Sequence, residues 1–285
     1  MGKKMTKLIF SSLTLTLVAS FGSAQLYGIE HGQTNNTIYQ INTTTGAASA
    51  VFSYAHSSGE INVAGLAYNP TTNKFNTVSY LTPSLTNMIE IDLVGSTATI
   101  VSTGIPATFF EGLDYSASLG GMVVSHGPGG NFTNKLSLLD NSYNLLNVQG
   151  TTGLADADCL FLDGSGALNV LDTNNLTGNF QRNRINNPFG ALSLTGTGAN
   201  NFVSGKDFDA AWKADEGRLF LTRFDSLATF DNANNITSVG SYGIHADGTL
   251  IGITGIAAGR PVPEPASFLG LLGGAGVLLR RRNRK

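Results

Sequence analysis

The sequence has few charged residues and a single cysteine, and each shortage excludes a class of structure or site. Only 13% of its 285 residues are charged, while 35 are glycine. This composition supplies many turns and few of the residues that stabilise exposed helices, so it favours β structure. The lone Cys159 excludes an internal disulfide and a zinc site built from several cysteines. We expect Cys159 to be a small, buried, apolar residue.

The sequence signatures of common catalytic and nucleotide-binding sites are also missing. There is no Gly-x-Ser-x-Gly elbow, no phosphate loop, no His-Glu-x-x-His motif and no EF-hand spacing. The run Asp163-Gly164-Ser165-Gly166 begins like a calcium loop but lacks the ligands that would follow, so we predict a hairpin turn there. The four histidines are dispersed along the chain. We therefore predict no enzymatic activity and no cofactor, and the sequence leaves open whether a metal binds.

The charges that are present are segregated along the chain. Residues 25–279 carry nine basic residues and all nineteen acidic ones, a net charge of −10, while both termini are basic. A protein that binds nucleic acid needs a basic surface to neutralise phosphates. The acidic body therefore excludes nucleic acid as an expected partner.

Residues 1–24 have the three parts of a secretory signal peptide. Lys3, Lys4 and Lys7 form a positive region, residues 8–21 form an apolar stretch, and small residues follow up to Ala24. Cleavage by signal peptidase between Ala24 and Gln25 would leave Gln25 first. An uncleaved membrane helix is the alternative, but the apolar stretch is short for one.

The C-terminal residues 261–285 contain a second short apolar segment in an unusual setting. Pro263, Glu264 and Pro265 precede an uncharged segment at 266–279, and residues 280–285 include four arginines and a lysine. The 14 apolar-segment residues would span about 21 Å as a helix, against a hydrocarbon core of about 30 Å. The basic terminus would stay in the cytoplasm under the positive-inside rule. This arrangement predicts a thin anchor suited to temporary retention, with the main domain outside.

In this order, the Pro-Glu-Pro sequence, the short apolar segment and the arginine-rich terminus resemble the PEP-CTERM sorting signal. Pro263, Glu264 and Pro265 match its recognition motif. The resemblance implies an exported protein of a Gram-negative bacterium that makes exopolysaccharide, with exosortase as the enzyme that recognises and removes the tail. It covers about 25 residues and implies nothing about the fold of the body. An ordinary single-pass anchor after a proline-containing linker is the alternative.

Residues 25–260 form the body of the chain, and they contain a recurring unit. Its opening apolar strand is clearest at 63–68 and 110–115, which read Val-Ala-Gly-Leu-Ala-Tyr and Phe-Glu-Gly-Leu-Asp-Tyr. Three more short strands are predicted in each unit, and four strands per unit of this length are typical of a propeller blade. The equivalent positions of the five copies, which are 47, 47, 50 and 46 residues apart, are Gly65, Gly112, Cys159, Asp209 and Gly255.

The two ends of the body predict how the ring closes. The N-terminal end lacks the opening strand and begins at the second one, near 26–31, while residues 251–258 supply only an opening strand. One blade would then be completed by both termini, which leaves no long sheet edge exposed. We therefore predict an all-β fold, a five-bladed β-propeller, with an irregular β-sandwich or solenoid as the alternative. The sequence around 179–189 follows the repeat poorly, so a blade boundary there is uncertain.

The repeat also sorts the polar residues. Loops that enter the first strand of a blade and loops after its second strand lie on the same face of a propeller. Glu111, Asp158 and Asp209 lie beside opening strands, so we predict that they belong to an acidic rim around the axis. Such a rim could bind a cation or the hydroxyl groups of a sugar. The alternative is a solvated surface whose side chains cap turns. The other predicted members of this face are Asp156, Asp207, His31, His126, Asp172 and Arg223.

Two functions fit these features. The first is a non-enzymatic protein of the cell surface or extracellular matrix that binds exopolysaccharide or an envelope protein through a propeller face. It would be anchored transiently in the inner membrane by its tail and then released outside. The second is a glycan-active hydrolase with Glu111, Asp158 and Asp209 as candidate carboxylates at the axis.

The tail generates the first testable prediction. Because exosortase would remove the anchor, the protein recovered outside the cell should end near residues 262–266 and lack residues 280–285. Intact-mass measurement after fractionation checks this, with an otherwise identical strain without exosortase as the control. Extracellular protein that retains the arginine-rich terminus would contradict the prediction.

Overall fold

The computed structural model describes residues 23–82, 85–106, 110–126, 135–149, 159–174, 179–189, 193–199, 209–231 and 235–260. Within these ranges the chain forms twenty β-strands in five antiparallel sheets of four strands each. None of the described residues belongs to a helix long and apolar enough to cross a bilayer. The sorting tail and residues 1–22 of the predicted signal peptide lie outside the described part.

The first three sheets are blades of a β-propeller, each listed from its innermost strand outward. Blade 1 consists of β20 (Gly255–Gly259), β1 (Gln25–His31), β2 (Asn35–Ile41) and β3 (Ala48–Ala55). Blade 2 consists of β4 (Asn62–Asn69), β5 (Lys74–Thr82), β6 (Leu85–Asp92) and β7 (Thr97–Pro106). Blade 3 consists of β8 (Phe110–Ser116), β9 (Gly121–His126), β10 (Leu136–Leu139) and β11 (Leu145–Gln149).

The last two blades continue the same pattern. Blade 4 consists of β12 (Cys159–Leu162), β13 (Leu168–Asn174), β14 (Asn179–Asn186) and β15 (Ser193–Ala199). Blade 5 consists of β16 (Ala210–Lys213), β17 (Arg218–Thr222), β18 (Ser226–Phe230) and β19 (Ile236–Ser241). The poorly repeating sequence around 179–189 therefore forms β14 and the turn after it, so the blade count of five is confirmed.

Blade 1 closes the ring, as predicted. Strand β1 pairs antiparallel with β20 in a register that runs from Gln25 opposite Gly259 to Ile29 opposite Gly255. The two ends of the body therefore share one sheet, and β1 is covered on both sides by β20 and β2. The sandwich and solenoid alternatives are excluded by this arrangement.

The core is divided among the interfaces between neighbouring blades. The described residues form five clusters of buried apolar side chains, and each cluster combines residues of two adjacent blades. Leu26 of β1, for example, packs with Phe220 of β17 across the interface between blades 1 and 5. Cys159 is fully buried between blades 4 and 5, as the sequence predicts. Because every blade contributes to two interfaces, the burial of apolar surface depends on a closed ring.

Short polar side chains shape the turns after the third strands. Asn42 accepts hydrogen bonds from the backbone N–H groups of Thr44 and Thr45, and Asp92 accepts one from Gly95. Asp140 and Asp231 make equivalent bonds within their own turns. Each of these four side chains therefore caps its own turn.

The second testable prediction concerns closure of the ring. Leu26→Ala removes a fully buried side chain from the interface between blades 1 and 5, so the free energy of unfolding should fall by about 2–5 kcal/mol. Leu146→Ala is the matched control, because Leu146 lies in β11 and is 58% exposed; it should change stability by less than about 0.5 kcal/mol. Urea unfolding measures both. Equal effects of the two substitutions would contradict the packing of β1 into the ring.

Candidate functional site

Of the three predicted acidic-rim residues Glu111, Asp158 and Asp209, the structure describes the side chain of Asp209. Asp209 is 1% exposed, immediately before β16, and its carboxyl group accepts hydrogen bonds from three backbone N–H groups, those of Ala210, Leu66 and Ile256. These donors belong to β16, β4 and β20, so Asp209 ties three innermost strands together near the axis. The backbone of Glu111 lies in β8, but its side chain and the whole of Asp158 lie outside the described residues.

The remaining predicted members of this face are also dispersed. His126 is buried, with its Nε2 atom 2.7 Å from the hydroxyl of Ser137. Arg223 is partly buried after β17. Asp156, Asp207 and the side chain of Asp172 lie outside the described part. Among the members of this group whose side chains are described, His31 alone lines the groove that is described below.

The innermost strands pack closely at the positions equivalent to Asp209. A Cβ atom added to Gly255 would come within 2.5 Å of the carbonyl carbon of Gly65, and one added to Gly112 within 2.3 Å of the nitrogen of Leu160. These two positions therefore require glycine. At the equivalent position of blade 5, the Asp209 side chain is accommodated by hydrogen bonds to backbone N–H groups.

Burial changes the acidity of the two carboxyl groups near the axis. Burial raises the pKa of Asp209 to about 8, against the lowering effect of its three backbone donors, and the negative charge of Asp114 adds to the increase. Asp114 lines a cavity of about 320 Å³ at the ends of the innermost strands, and burial raises its pKa to about 6. Asp114 also accepts hydrogen bonds from the backbone N–H groups of Leu162 and Tyr115. Both carboxyl groups are therefore occupied by backbone donors.

A concave surface at the opposite end of the strands forms a groove of about 930 Å³. We call it the blade 1 groove, because it lies between the end of β1 and the segment 244–254 that leads into β20. A volume of this size is typical of ligand sites in proteins. The side chains that line it include those of Glu30, His31, Gln33, Phe224, His245 and Leu250.

A buried carboxylate holds the two sides of the groove together. Glu30 is 6% exposed, and its Oε1 atom accepts hydrogen bonds from the backbone N–H of Gly252 at 2.8 Å and from the His245 ring at 2.9 Å. Its other oxygen accepts the hydroxyl of Tyr39 at 2.7 Å. Burial raises the pKa of Tyr39, and its hydrogen bond to Glu30 adds to this, so the phenol stays a donor. The groove is therefore rigid at its base.

Phe224 is held at the groove in a strained backbone conformation. Its φ angle is +56°, in the left-handed region that bulky residues rarely adopt, and its side chain is 38% exposed. The backbone carbonyl of Phe224 accepts the N–H of Ile253 at 2.7 Å, and its ring lies against Gly252, where a Cβ atom would come within 2.5 Å of it. Strain of this kind persists where the surroundings hold a residue in place, and it is often found at binding sites.

A second group of polar residues lies beside the groove, where blades 1 and 2 meet. His31, His56 and Glu60 each place one nitrogen or oxygen donor atom within 4.8 Å of the others. Sequence reasoning missed this cluster because it treated the histidines as dispersed. The signal was available: His31 ends the second strand of blade 1 and Glu60 precedes the first strand of blade 2, and the propeller register places those two positions on one face.

Comparison with known proteins supports the reading of the C terminus. Residues 261–285 match the family model described as the PEP-CTERM protein-sorting motif. The resemblance is confirmed, and the motif marks the chain as an exported protein that exosortase processes. A comparison with curated proteins finds no match.

Comparison with solved structures finds distant similarities to the body. They include TolB from Acinetobacter baumannii, with 15% identity over 78% of this chain and 54% of that one and a TM-score of 0.49. An auxiliary nutrient binding protein from Bacteroides ovatus shares 8% identity over 78% and 65%, with a TM-score of 0.47. The PQQ-bound aldose sugar dehydrogenase from Streptomyces coelicolor shares 12% identity over 83% and 85%, with a TM-score of 0.45. The match thus spans about half of the TolB chain, and none of these identities is high enough to indicate a shared function.

The third testable prediction follows from the buried Asp209. Above about pH 4 the unfolded chain releases a proton from this carboxyl group, whereas the folded protein retains it until about pH 8. The free energy of unfolding should therefore fall as pH rises through this window, with a contribution approaching 1.4 kcal/mol per pH unit. Asp209→Asn removes the titrating group and should flatten the profile.

The measurement is urea unfolding at pH values from 4 to 8. Asp231→Asn serves as the control, because Asp231 is an exposed carboxylate in a turn, and it should leave the slope unchanged. Parallel profiles for the original protein and Asp209→Asn would contradict a proton held by Asp209 in the folded state.

Proposed function

We propose that this exported, exosortase-processed protein is a non-enzymatic surface or matrix protein that binds neutral polysaccharide in the blade 1 groove. The observation that carries the proposal is the combination of an exposed, strained aromatic side chain, Phe224, with fixed polar groups on one concave surface. Sugars present both apolar C–H faces and hydroxyl groups, so a site that binds them needs an aromatic surface and hydrogen-bonding side chains together.

The groove offers both kinds of contact. The exposed Phe224 and Leu250 form its apolar part, while Gln33 and the edge of the His245 ring offer hydrogen bonds. Glu30 already bonds to Gly252, His245 and Tyr39, so it orients the site and contributes little to sugar contacts. A pre-ordered groove reduces the entropy cost of binding a flexible polymer.

The charge of the body narrows the ligand class. Residues 25–279 carry a net charge of −10, and like charges across an interface disfavour binding. An uncharged polysaccharide therefore fits this protein better than a polyanionic one. We also propose that the mature protein is located at the cell surface, where such polymers accumulate.

Asp209 is the one candidate carboxyl group at the axis whose side chain the structure describes, and its contacts favour a structural role over hydrolysis. A glycoside hydrolase needs two carboxyl groups facing a shared cavity, one of them able to protonate the leaving group. Among the three candidates, Asp209 is buried and accepts three backbone N–H groups. Its oxygens are engaged in holding β4, β16 and β20 together, which favours a structural role for this residue.

The fourth testable prediction separates binding from stability at Phe224. Phe224→Gly removes the ring and also relieves the left-handed backbone strain, which costs on the order of 1–2 kcal/mol for a side-chain-bearing residue. Stability should therefore change by less than about 1 kcal/mol, since the two effects oppose each other. Loss of aromatic stacking worth about 1.5 kcal/mol should weaken polysaccharide binding roughly tenfold.

Affinity electrophoresis of the full chain in gels that contain dextran, mannan, xylan or a mixed-linkage β-glucan measures binding. Leu146→Ala, an exposed apolar change outside the groove, should leave the mobility shift unchanged. Retardation of Phe224→Gly equal to that of the original protein would contradict the groove as the site. Absence of retardation by all four polymers would contradict the ligand class.

A further inference from the structure

Two imidazoles and a carboxylate converge where blades 1 and 2 meet. His31 ends β1, while His56 and Glu60 belong to the connection from β3 to β4. One donor atom of each residue lies within 4.8 Å of the other two, and the His31 and His56 rings stack with their centroids 4.4 Å apart. Like the neutral imidazoles of other metal centres, these rings offer nitrogen ligands for a divalent transition metal.

The hydrogen bonds of Asn36 fix which nitrogen of His31 carries a proton. The Asn36 amide donates through Nδ2 to the Glu60 carboxylate, which orients its oxygen Oδ1 toward His31. His31 Nδ1 lies 3.0 Å from that oxygen and must therefore donate to it. In the neutral ring Nε2 then keeps its lone pair. Histidines that bind metals usually donate one ring N–H to an oriented oxygen. Because Nδ1 is the His31 nitrogen that lies 3.6 Å from Oε1 of Glu60, rotation of the ring would have to bring Nε2 toward the carboxyl group.

Glu60 is held in place by hydrogen bonds. Its side chain is fully buried and accepts hydrogen bonds from Asn36, from the hydroxyl of Ser79 at 2.7 Å and from the hydroxyl and backbone N–H of Ser57. The carboxyl group is therefore fixed in position inside the interface between two blades.

His56 supplies a second, independent observation. Its Nε2 atom is buried and has no hydrogen-bond partner among the described residues. A buried polar atom without a partner destabilises the folded state, so a fold that retains one beside a buried carboxylate calls for a physical reason. A cation that coordinates this nitrogen would supply the missing interaction.

We propose that His31, His56 and Glu60 bind one divalent transition-metal ion of the Zn²⁺ type at the junction of blades 1 and 2. Two nitrogen donors and one carboxylate suit Zn²⁺ and disfavour Ca²⁺ and Mg²⁺, which take oxygen ligands. The ligand atoms of a tetrahedral Zn²⁺ site lie about 3.3 Å from one another. The nitrogen and oxygen atoms of this cluster lie within 4.8 Å of one another, so they would have to move by about 1 Å to bind one ion. Ring rotation of the two histidines supplies such shifts.

The site would also be open toward the blade 1 groove. His31 lines the groove and retains 20% side-chain exposure, whereas Glu60 is fully buried. Three protein ligands leave a fourth tetrahedral position for water or for an oxygen of a ligand. The metal site shares only His31 with the groove, and it stands independently of the polysaccharide proposal because its test uses the metal alone.

The fifth testable prediction is zinc binding by the full chain, prepared in mild detergent without a histidine tag, stripped with EDTA and freed of chelator. Titration with Zn²⁺ against a chromophoric zinc chelator should give one ion per chain. His56→Ala and Glu60→Gln should each weaken binding at least about tenfold, because even residues that only orient metal ligands contribute about 10- to 100-fold. His245→Gln, which changes the groove histidine outside the cluster, should leave zinc affinity unchanged.

Thermal unfolding separates lost binding from lost folding. Zn²⁺ should raise the Tm of the original protein and of His245→Gln, since a ligand that binds the folded state stabilises it, and should leave the Tm of His56→Ala unchanged. Glu60→Gln preserves the shape of the side chain and provides a second test if His56→Ala is unstable. Absence of zinc binding, binding of Ca²⁺ with equal affinity, or unchanged zinc affinity in both variants would overturn the proposal.

Discussion

The pairing of β20 with β1 is the interaction on which the rest of the structure depends. It joins Gln25 to Gly259, the two ends of the body, in one sheet. Without it, β1 would expose an unpaired edge. The apolar clusters on both sides of blade 1 would also be weakened, because β1 and β20 both contribute buried side chains to each of them. In a ring, opening one interface releases the geometric constraint on all the others. Closure is therefore the step that converts five marginal sheets into one stable domain.

Closure also sets where processing can occur. Gln25 is both the first residue of β1 and the residue that the predicted signal cleavage would leave first, while β20 ends at Gly259, two positions before the sorting motif begins. Both processing points thus adjoin the closing pair without entering it. Removal of either segment would leave every strand of the ring intact, so a protein that closes before its tail is cut loses no stability on release.

The sequence repeat predicted the architecture well, because the spacing between repeats depends on the number and length of strands and turns and not on particular residues. Many residue types form strands and turns, so the 46- to 50-residue period indicated five blades even though residues 179–189 follow the pattern poorly. Asx turns at Asn42 and Asp92 could be predicted for a local reason, since each side chain caps the turn that follows it. The direction of a side chain is a different matter. Asp209 occupies a position that is glycine in three other repeats, and only the structure shows that its carboxyl group turns inward to backbone donors.

The candidate sites were harder to predict, because they combine residues that no local pattern links. Glu30 and His245 are 215 residues apart in sequence and 2.9 Å apart in the structure. Both belong to elements that meet only when the ring is closed: β1 on one side, and the segment leading into β20 on the other. A ligand bound across this groove would contact both sides of the closing pair and favour the closed ring by mass action. Under the proposed function, ligand binding outside the cell would therefore stabilise the closed ring.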